Sequence, residues 1–491
     1  MEGASSDEAR TAGPERCRPP APFIAPDAVG PVDAPRAEAA SRPVDGTADR
    51  GAHPRGEAGP GRGPDEVPIG SGAAADGGAG ARAGGRARIE GLLLGLASGD
   101  AAGWPAARHR AARMPEWTRR LTRELDTFAE HNATTTLPVP IALNQPPEPL
   151  RLGPSDDAEW AAFTAESVLT AAGALLSDLG RGRRMRAAID LAWNALASEV
   201  AAAADRAPEV ESAVLPLRAR ISVRAGLGNL AAGLRPPATG HDNPHFFDDA
   251  ACVRAAVLAV VHPGEPSAAA ELAEYDARYT QDGDGVHGAR AMAAAVAVAL
   301  GGATVQACVE AALGQLPEGT EIRRNALHAV RLAHAVAADR PGRPGNAFAL
   351  VPVLEHEIVD HVYSYGIAAA ETVPVALALT LAANGLVSEA VPAAACLSRV
   401  ADSAPALAGA LTGALGDVHD LPRTWRDACR VLSGCALPRL AGTDLVELAR
   451  LLAGTELTAP EAVPALADAV AAPLASAAPL FSLTVEGPPR T

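Results

Sequence analysis

Residues 89–105 read IEGLLLGLASGDAAGWP, and this stretch decides the fold class. Its first half, Ile89 to Ala97, is apolar on every side and predicts a buried helix. Across the chain 48% of residues are hydrophobic but only 3% are aromatic, so the core must be built mainly from Ala, Leu and Val. Because Ala is a strong helix former and no strand alternation of comparable strength appears, we expect an all-α fold.

The second half of this stretch, Ser98 to Pro105, combines glycines with one acid, Asp100. One interpretation is a glycine-rich helix end. The other is a loop whose backbone approaches a ligand closely, because glycine has no Cβ. On the second interpretation Gly99 and Asp100 are candidates for substrate binding.

The chain divides into three parts by composition. Residues 1–85 are rich in Pro, Gly, Ala, Arg and Asp, have few large apolar residues, and are expected to form a disordered tail. Residues 86–475 predict a single compact multi-helix domain, and residues 476–491 a C-terminal tail. The helices are expected near 116–130, 157–178, 184–204, 213–234, 249–261, 267–279, 285–300, 303–315, 321–338, 346–361, 368–383, 387–398, 403–416, 422–437 and 442–454. The proline-rich segment 131–154 predicts a long loop.

Charge and cysteine content exclude several classes of function. The formal net charge of −16 argues against a general binder of nucleic acid or of anionic membrane. The six cysteines form no CxxC pair, so a zinc site is not expected. No uniform apolar run predicts a membrane span and no signal segment opens the chain, so we expect a soluble cytoplasmic protein.

Two segments place an acid and a hydroxyl at the start of a helix. In the first, Ser155, Asp156 and Asp157 either cap a helix and complement its dipole or supply oxygen ligands to Mg²⁺. In the second, Asp402 and Ser403 precede a helix rich in Ala and Gly, with the same two interpretations. Adjacent carboxylates repel each other, and a divalent cation would relieve that repulsion.

A third polar segment, residues 241–254, holds two His, three Asp, two Phe and one Arg. Aromatic rings beside carboxylates suit a nucleoside, whose base stacks and whose ribose hydroxyls bind acids. Asp248 and Asp249 are therefore candidates for substrate contact. The alternative is a polar loop with an aromatic anchor.

Taken in order, these segments resemble the ADP-ribosyl-glycohydrolase family, which includes the glycohydrolases that reactivate dinitrogenase reductase and the J-type crystallins. The matching segments are Gly91–Pro105 for G-x-x-x-G-x-A-x-G-D-A-x-G-x-P, Ser155–Ala158 for T-D-D-T, Ala250–Arg254 for A-x-x-R, Tyr365–Pro374 for G-x-x-x-E-T-x-P, and Ser398–Ala410 for G-G-D-T-D-T-x-A-A-x-A-G-A. The resemblance covers about residues 86–420 and rests on the order of the motifs rather than on any one of them.

The resemblance implies an all-α fold with a binuclear Mg²⁺ centre at the bottom of an ADP-ribose cleft. The metals would orient the ribose hydroxyls and help cleave the glycosidic bond. The metal ligands it implies are Ser155, Asp156, Asp157, Asp402 and Ser403. The substrate-binding residues it implies are Gly99, Asp100, Asp248, Asp249, Tyr365 and Gly366.

The departures from the family pattern concern the metal. Val400 stands where the motif has its first Asp, Ala158 replaces the last Thr of T-D-D-T, and Ala106 and Ala107 occupy a stretch that often carries an acid. The oxygen ligands that remain suffice for one ion, Mg²⁺ or Mn²⁺, rather than two.

Two hypotheses follow for the function. The first is a metal-dependent hydrolase that releases ADP-ribose, or a related ribosyl group, from a protein or a small molecule. Asp156 and Asp157 would then be catalytic and orient the attacking water, and chelation should abolish activity. The second is a catalytically degenerate relative that binds a nucleotide or regulates without turnover, as Val400, Ala106 and Ala107 suggest. We favour the hydrolase because oxygen ligands survive in both aspartate motifs.

Overall fold

The computed structural model describes residues 76–112, 153–206, 219–359 and 367–458. Within these ranges the chain forms sixteen α-helices and five short 3₁₀ helices. The α-helices are α1 (Asp76–Ala112), α2 (Asp156–Ala172), α3 (Arg181–Arg206), α4 (Ile221–Ala231), α5 (Ala238–His241), α6 (Ala250–Leu258), α7 (Pro266–Ala277), α8 (Gly283–Leu300), α9 (Val305–Gly314), α10 (Glu321–Asp339), α11 (Asn346–Glu357), α12 (Ala369–Ala382), α13 (Val387–Cys396), α14 (Ala404–Leu415), α15 (Arg423–Cys429) and α16 (Leu445–Ala453).

The predicted all-α fold is confirmed. The described ranges contain no β-strand and only two isolated bridges. The helix expected at 116–130 lies outside the described residues, as do residues 131–152 of the expected loop and residues 476–491. Residues 1–75 of the expected tail also lie outside them, and α1 begins at Asp76, before the predicted domain start.

The core is made of helices that are buried on nearly all sides. Helix α14 is buried from Ala404 to Ala414, and α12 is buried from Ala369 to Thr380. Helix α8 is similar, with the run 291–297 fully enclosed. Their small side chains let neighbouring helices approach closely, so a core poor in aromatic residues can still be well packed.

Helices α1 and α14 lie in direct backbone contact. Gly91, Gly95, Gly99 and Gly103 lie one turn apart along α1, and they face Gly413, Gly409, Pro405 and Ala401 in antiparallel register. A Cβ added at Gly95 would lie 2.2 Å from the carbonyl oxygen of Gly409, and one at Gly99 would lie 2.0 Å from that of Pro405. Only glycine permits this approach of two backbones.

The contact corrects the interpretation of residues 98–103. They form neither a helix end nor a loop, because α1 continues through Gly103 to Ala112. The glycines are spaced by four residues, so they share one helix face, and that face is covered by α14 and the residues just before it. Gly99 is therefore committed to helix packing.

Glu159, one turn into α2, ties this helix to the segment after α15. Its side chain is fully buried, and its two oxygens accept hydrogen bonds from the backbone N–H groups of Cys435, Ala436 and Leu437 at 2.7–2.8 Å. A buried carboxylate is tolerated when several donors satisfy it. Glu159 thereby fixes the position of α2, which carries Asp156 and Asp157 at its start.

Among the helices of the described ranges, none is both long and apolar enough to cross a lipid bilayer.

The glycine contact yields a first prediction. Gly95→Ala should destabilise the protein by about 3 kcal/mol or more, because its Cβ would overlap a backbone carbonyl that cannot move aside. Gly84→Ala, on the exposed part of the same helix with nothing within 4 Å, should instead stabilise it by up to about 1 kcal/mol. Urea denaturation measures both, and equal effects at the two glycines would contradict the packing role.

A second prediction concerns Glu159. Glu159→Gln should lower the free energy of unfolding by about 1.5–3 kcal/mol, because an amide nitrogen would face a backbone N–H that now donates to a carboxylate. The matched control is Glu166→Gln on the same helix, whose carboxylate forms a more exposed ion pair with Arg439 and should change stability by less than about 1 kcal/mol. A control as damaging as Glu159→Gln would refute the anchoring role.

Candidate functional site

The candidate site lies where the N-termini of α2, α6 and α14 meet the residue that precedes α4. Each of the first three helices brings at least one carboxylate: Asp156 and Asp157 at the start of α2, Asp249 before α6, and Asp402 shortly before α14. Arg220, directly before α4, brings the cation. The contact of α1 with α14 adds Asp100, which follows Gly99 in the glycine row.

Asp100 holds the start of α2 in place. Its Oδ2 accepts hydrogen bonds from the backbone N–H groups of Ser155, at 2.7 Å, and Ala158, at 3.0 Å. Two of the N–H groups that a helix start leaves without an internal partner are satisfied in this way by a carboxylate from another helix. Ser155 itself makes no side-chain cap, and its hydroxyl donates to Asp156 Oδ1 at 3.0 Å. Ser155 therefore occupies the N-cap position that the sequence suggested, but Asp100 rather than the Ser155 hydroxyl satisfies the N–H groups there.

Asp157 is more enclosed than its neighbour Asp156 at the start of α2. Its side chain points inward, and its Oδ2 is buried without a hydrogen-bond partner. Burial raises the pKa of Asp157 well above its ordinary value, and the charges of Asp100, Asp156 and Asp402 add to this rise, while Arg220 opposes it. The group is thus a carboxyl held toward its protonated form, as general acids often are.

Arg220 lies at the centre of the acidic groups. Its guanidinium donates to Asp402 Oδ2 and to the Ser403 hydroxyl, and it forms an ion pair with Asp249 Oδ1 at 3.5 Å. Burial alone would lower the pKa of this arginine, but the carboxylates of Asp402 and Asp249 outweigh that effect and raise it. Arg220 is therefore a permanent positive charge. The sequence analysis identified the acids of this site but did not identify Arg220.

Asp248 and Asp249 are fixed by the chain around them. Backbone hydrogen bonds join Asp249 N–H to Ile367 O at 2.9 Å and Ala369 N–H to Phe247 O at 3.1 Å, which attaches this segment to the start of α12. Asp248 Oδ1 accepts from the Ala250 N–H and from the Gln281 amide. Both acids are fully buried. The backbone of this segment is thus attached to the start of α12, and the Asp249 carboxylate lies beside Arg220.

Arg254, in the A-x-x-R segment, has a structural role. It is fully buried inside α6, pairs with Asp276 at 2.7 Å, donates to Thr280, and stacks over the Trp193 ring at 4.9 Å. Asp276 also accepts from the Trp193 indole at 2.8 Å. This satisfied network joins α3, α6 and α7 and leaves Arg254 unavailable to a ligand.

The aromatic residues of the same segment pack mainly on one another. The rings of His245 and Phe247 stack with centroids 5.6 Å apart, and Phe246 meets Phe247 edge-on at 5.7 Å. Phe246 stays 40% exposed. Stacking of a nucleoside base on these rings stays a prediction.

The acidic groups do not fit a divalent cation as they are arranged. Within the part of the chain that the structure describes, no three His, Cys, Asp or Glu side chains converge on a point that could hold a metal ion. Arg220 instead pairs with Asp402 and Ser403, two of the ligands the sequence suggested. Val400 is fully buried among apolar side chains and offers no oxygen. The expectation of Mg²⁺ or Mn²⁺ stays a prediction.

Comparison with known proteins bears on the identity of this site. The sequence pattern of the family described as ADP-ribosylglycohydrolase matches residues 81–460, which is most of the chain. The chain belongs to the ADP-ribosylglycohydrolase family. A solved structure described as an "ADP-ribosylglycohydrolase-related protein complex" is 19% identical, with a TM-score of 0.41, covering 75% of this chain and 98% of its own. No curated protein is similar enough to count as a match.

Apart from Gly99, which packs against the residues just before α14, the predicted site residues fall into three groups. The structure brings Asp156, Asp157, Asp249, Asp402 and Ser403 together around Arg220. Asp100, Ser155 and Asp248 lie beside them and form hydrogen bonds with backbone groups and neighbouring polar side chains. Tyr365 and Gly366 lie outside the described residues. The only sequence signal for Arg220 was a cation directly before an apolar helix.

The buried Asp249 of this ADP-ribosylglycohydrolase relative yields a pH prediction. Burial raises the pKa of Asp249 from 3.8 to about 7, with Arg220 opposing the rise. A carboxyl whose pKa is higher in the folded state stabilises the fold at low pH, and that contribution is lost as the pH rises from about 4 to about 7. Asp249→Asn cannot ionise, so its stability relative to the parent should rise across this window.

The measurement is urea denaturation of parent and Asp249→Asn at about pH 5 and about pH 8. The variant should gain most at the higher pH. Asp444→Asn is the control, because Arg430 lowers the pKa of Asp444. That carboxyl is therefore ionised in the folded and the unfolded state at both pH values, and the stability difference between this variant and the parent should be the same at both. An Asp249 difference that does not change with pH would contradict the buried, protonated carboxyl.

Proposed function

We propose that the protein hydrolyses the glycosidic bond through which ADP-ribose, or a related ribosyl group, is attached to a protein or a small molecule. The observation that supports this most is Asp157, a buried carboxyl with an unpartnered oxygen and a raised pKa, at a helix start among four other acids. Membership of the ADP-ribosylglycohydrolase family supports the same class of reaction.

Two carboxyl groups with different pKa values would act as proton donor and proton acceptor. Cleavage at an anomeric carbon needs one group to protonate the leaving atom and another to accept a proton from water. Asp157, held toward its protonated form, suits the first task. Asp249, whose pKa is about 7, is part-ionised near neutral pH and suits the second.

The remaining acids suit the charge that develops during cleavage. An oxocarbenium-like transition state is positive at the ribose ring, and fixed negative groups stabilise it. Asp156 is partly exposed, so it can hold the attacking water. Asp402, with about a fifth of its side chain exposed, can accept hydrogen bonds from ribose hydroxyls while it pairs with Arg220.

A second candidate function is binding without turnover. The observation that favours it is the pairing of Arg220 with Asp402 and Ser403, which occupies polar groups that a substrate would otherwise use. A protein of this kind would bind ADP-ribose or a nucleotide and pass the signal to a partner. Both candidates take an ADP-ribosyl ligand, and only one releases a product.

The test is an assay for free ADP-ribose by liquid chromatography, with arginine-linked and serine-linked ADP-ribosyl peptides as substrates. The parent should release ADP-ribose, and Asp157→Asn should lower kcat by about 100-fold or more, because the proton donor is lost. Glu166→Gln, on the same helix but with an exposed ion pair, should keep the parent rate.

Release of ADP-ribose that is equal in the parent and in Asp157→Asn would refute the assigned role of Asp157. Absence of release, together with a rise in Tm on addition of ADP-ribose, would replace the hydrolase with the binding protein. Absence of both would refute an ADP-ribosyl ligand for this site.

A further inference from the structure

Arg220 and the acidic groups around it depend on one another. The arginine precedes the N-terminus of its own helix, α4, where the helix dipole disfavours a positive charge. Its side chain is only 10% exposed, so it also loses most of its hydration. Its contacts to Asp402, Ser403 and Asp249 compensate for both effects.

The carboxylates need the arginine for the same reason. Asp157 and Asp249 are buried. Asp402 lies close enough to repel both of them, and Asp156 repels Asp157. Removal of hydration makes such repulsion costly unless a cation lies among the acids. In the described part of the chain, Arg220 is the cation whose charge acts on all four of these groups.

The local charge balance is consistent with an arginine in place of a divalent cation. Val400 is an uncharged, buried residue at the motif position that would hold an Asp, which removes one negative charge. Arg220 adds one positive charge. The site is thus two charge units more positive than one with an Asp at position 400 and no arginine, and two units is the charge of one divalent cation.

We propose that the guanidinium of Arg220 is the resident cation of this site and takes the place of a divalent metal ion. It neutralises the acids, holds Asp402 and Ser403 at the start of α14, and links them to Asp249 before α6. A guanidinium has five fixed N–H donors and no open coordination position. It can therefore orient oxygen atoms but cannot be removed by a chelator.

The experiment is a calorimetric titration of the full chain with Mn²⁺, together with Tm measured in Mn²⁺ and in EDTA. The parent should show no saturable Mn²⁺ binding, and its Tm should be the same in both solutions. Arg220→Gln should lose stability in EDTA, because buried carboxylates are left without a cation. It should gain one saturable Mn²⁺ site and recover Tm in Mn²⁺.

Two variants serve as controls. Arg224→Gln removes a cation one turn along α4 whose pKa is lowered by burial, whereas the carboxylates raise that of Arg220, and it should gain no Mn²⁺ site. Arg220→Lys keeps a positive charge at the centre and should likewise bind no Mn²⁺. If Arg220→Gln does not fold in either solution, the titrations of the parent and of Arg220→Lys decide the question.

Saturable Mn²⁺ binding by the parent that is lost in Asp402→Asn would overturn the proposal. A folded Arg220→Gln protein that gains no Mn²⁺ site would overturn it as well. These readouts are independent of hydrolysis, so they hold whether or not the chain releases ADP-ribose. If it does, its rate should be unchanged in EDTA.

Discussion

The backbone contact between α1 and α14 is the constraint on which the rest of the structure depends. Glycines on one face of α1 let it lie against Gly409, Gly413 and the residues just before α14 with almost no side chain between them. The antiparallel register sets Gly99 opposite Pro405 and Gly103 opposite Ala401. Asp100 and Asp402 are the next residues along each chain, so the contact that builds the core also brings two acids to the site.

The second constraint is the negative charge of the enclosed carboxylates. Neighbouring protein groups, rather than water, compensate for it. Several carboxylates are enclosed where helix N-termini meet, and the partial positive charges of those termini help to stabilise them. Asp100 uses two N–H groups of α2, and Asp248 uses the N–H of Ala250. Arg220 neutralises part of the negative charge that the helix termini leave. The scaffold around the site relies on equally buried but fully satisfied pairs, such as Arg254 with Asp276.

The candidate site could be predicted from the sequence where a motif is local. Asp156 and Asp157 at the start of α2, and Ser403 at the start of α14, follow from an acid or hydroxyl placed before an apolar helical run. The same local reasoning gave Ser155 as the cap of α2, whereas the capping group is Asp100 of another helix. It also interpreted residues 98–103 as a helix end or a ligand-binding loop, because the partner of a row of glycines in one helix cannot be identified until α14 is placed against it. Arg220 belongs to no motif, and only the folded chain brings its guanidinium to the acids.

By itself the sequence determined the all-helical fold class, the approximate bounds of most helices and the family, because helix propensity, apolar periodicity and the order of motifs are local properties of the chain. Only the tertiary structure decided which glycines lie in helix contacts, which acids accept hydrogen bonds from helix N-termini, and which cation lies among the carboxylates. Those roles arise between residues 29 to more than 300 positions apart in sequence. Burial sets their energies, because a charge or a Cβ has its effect only through the groups that surround it after folding.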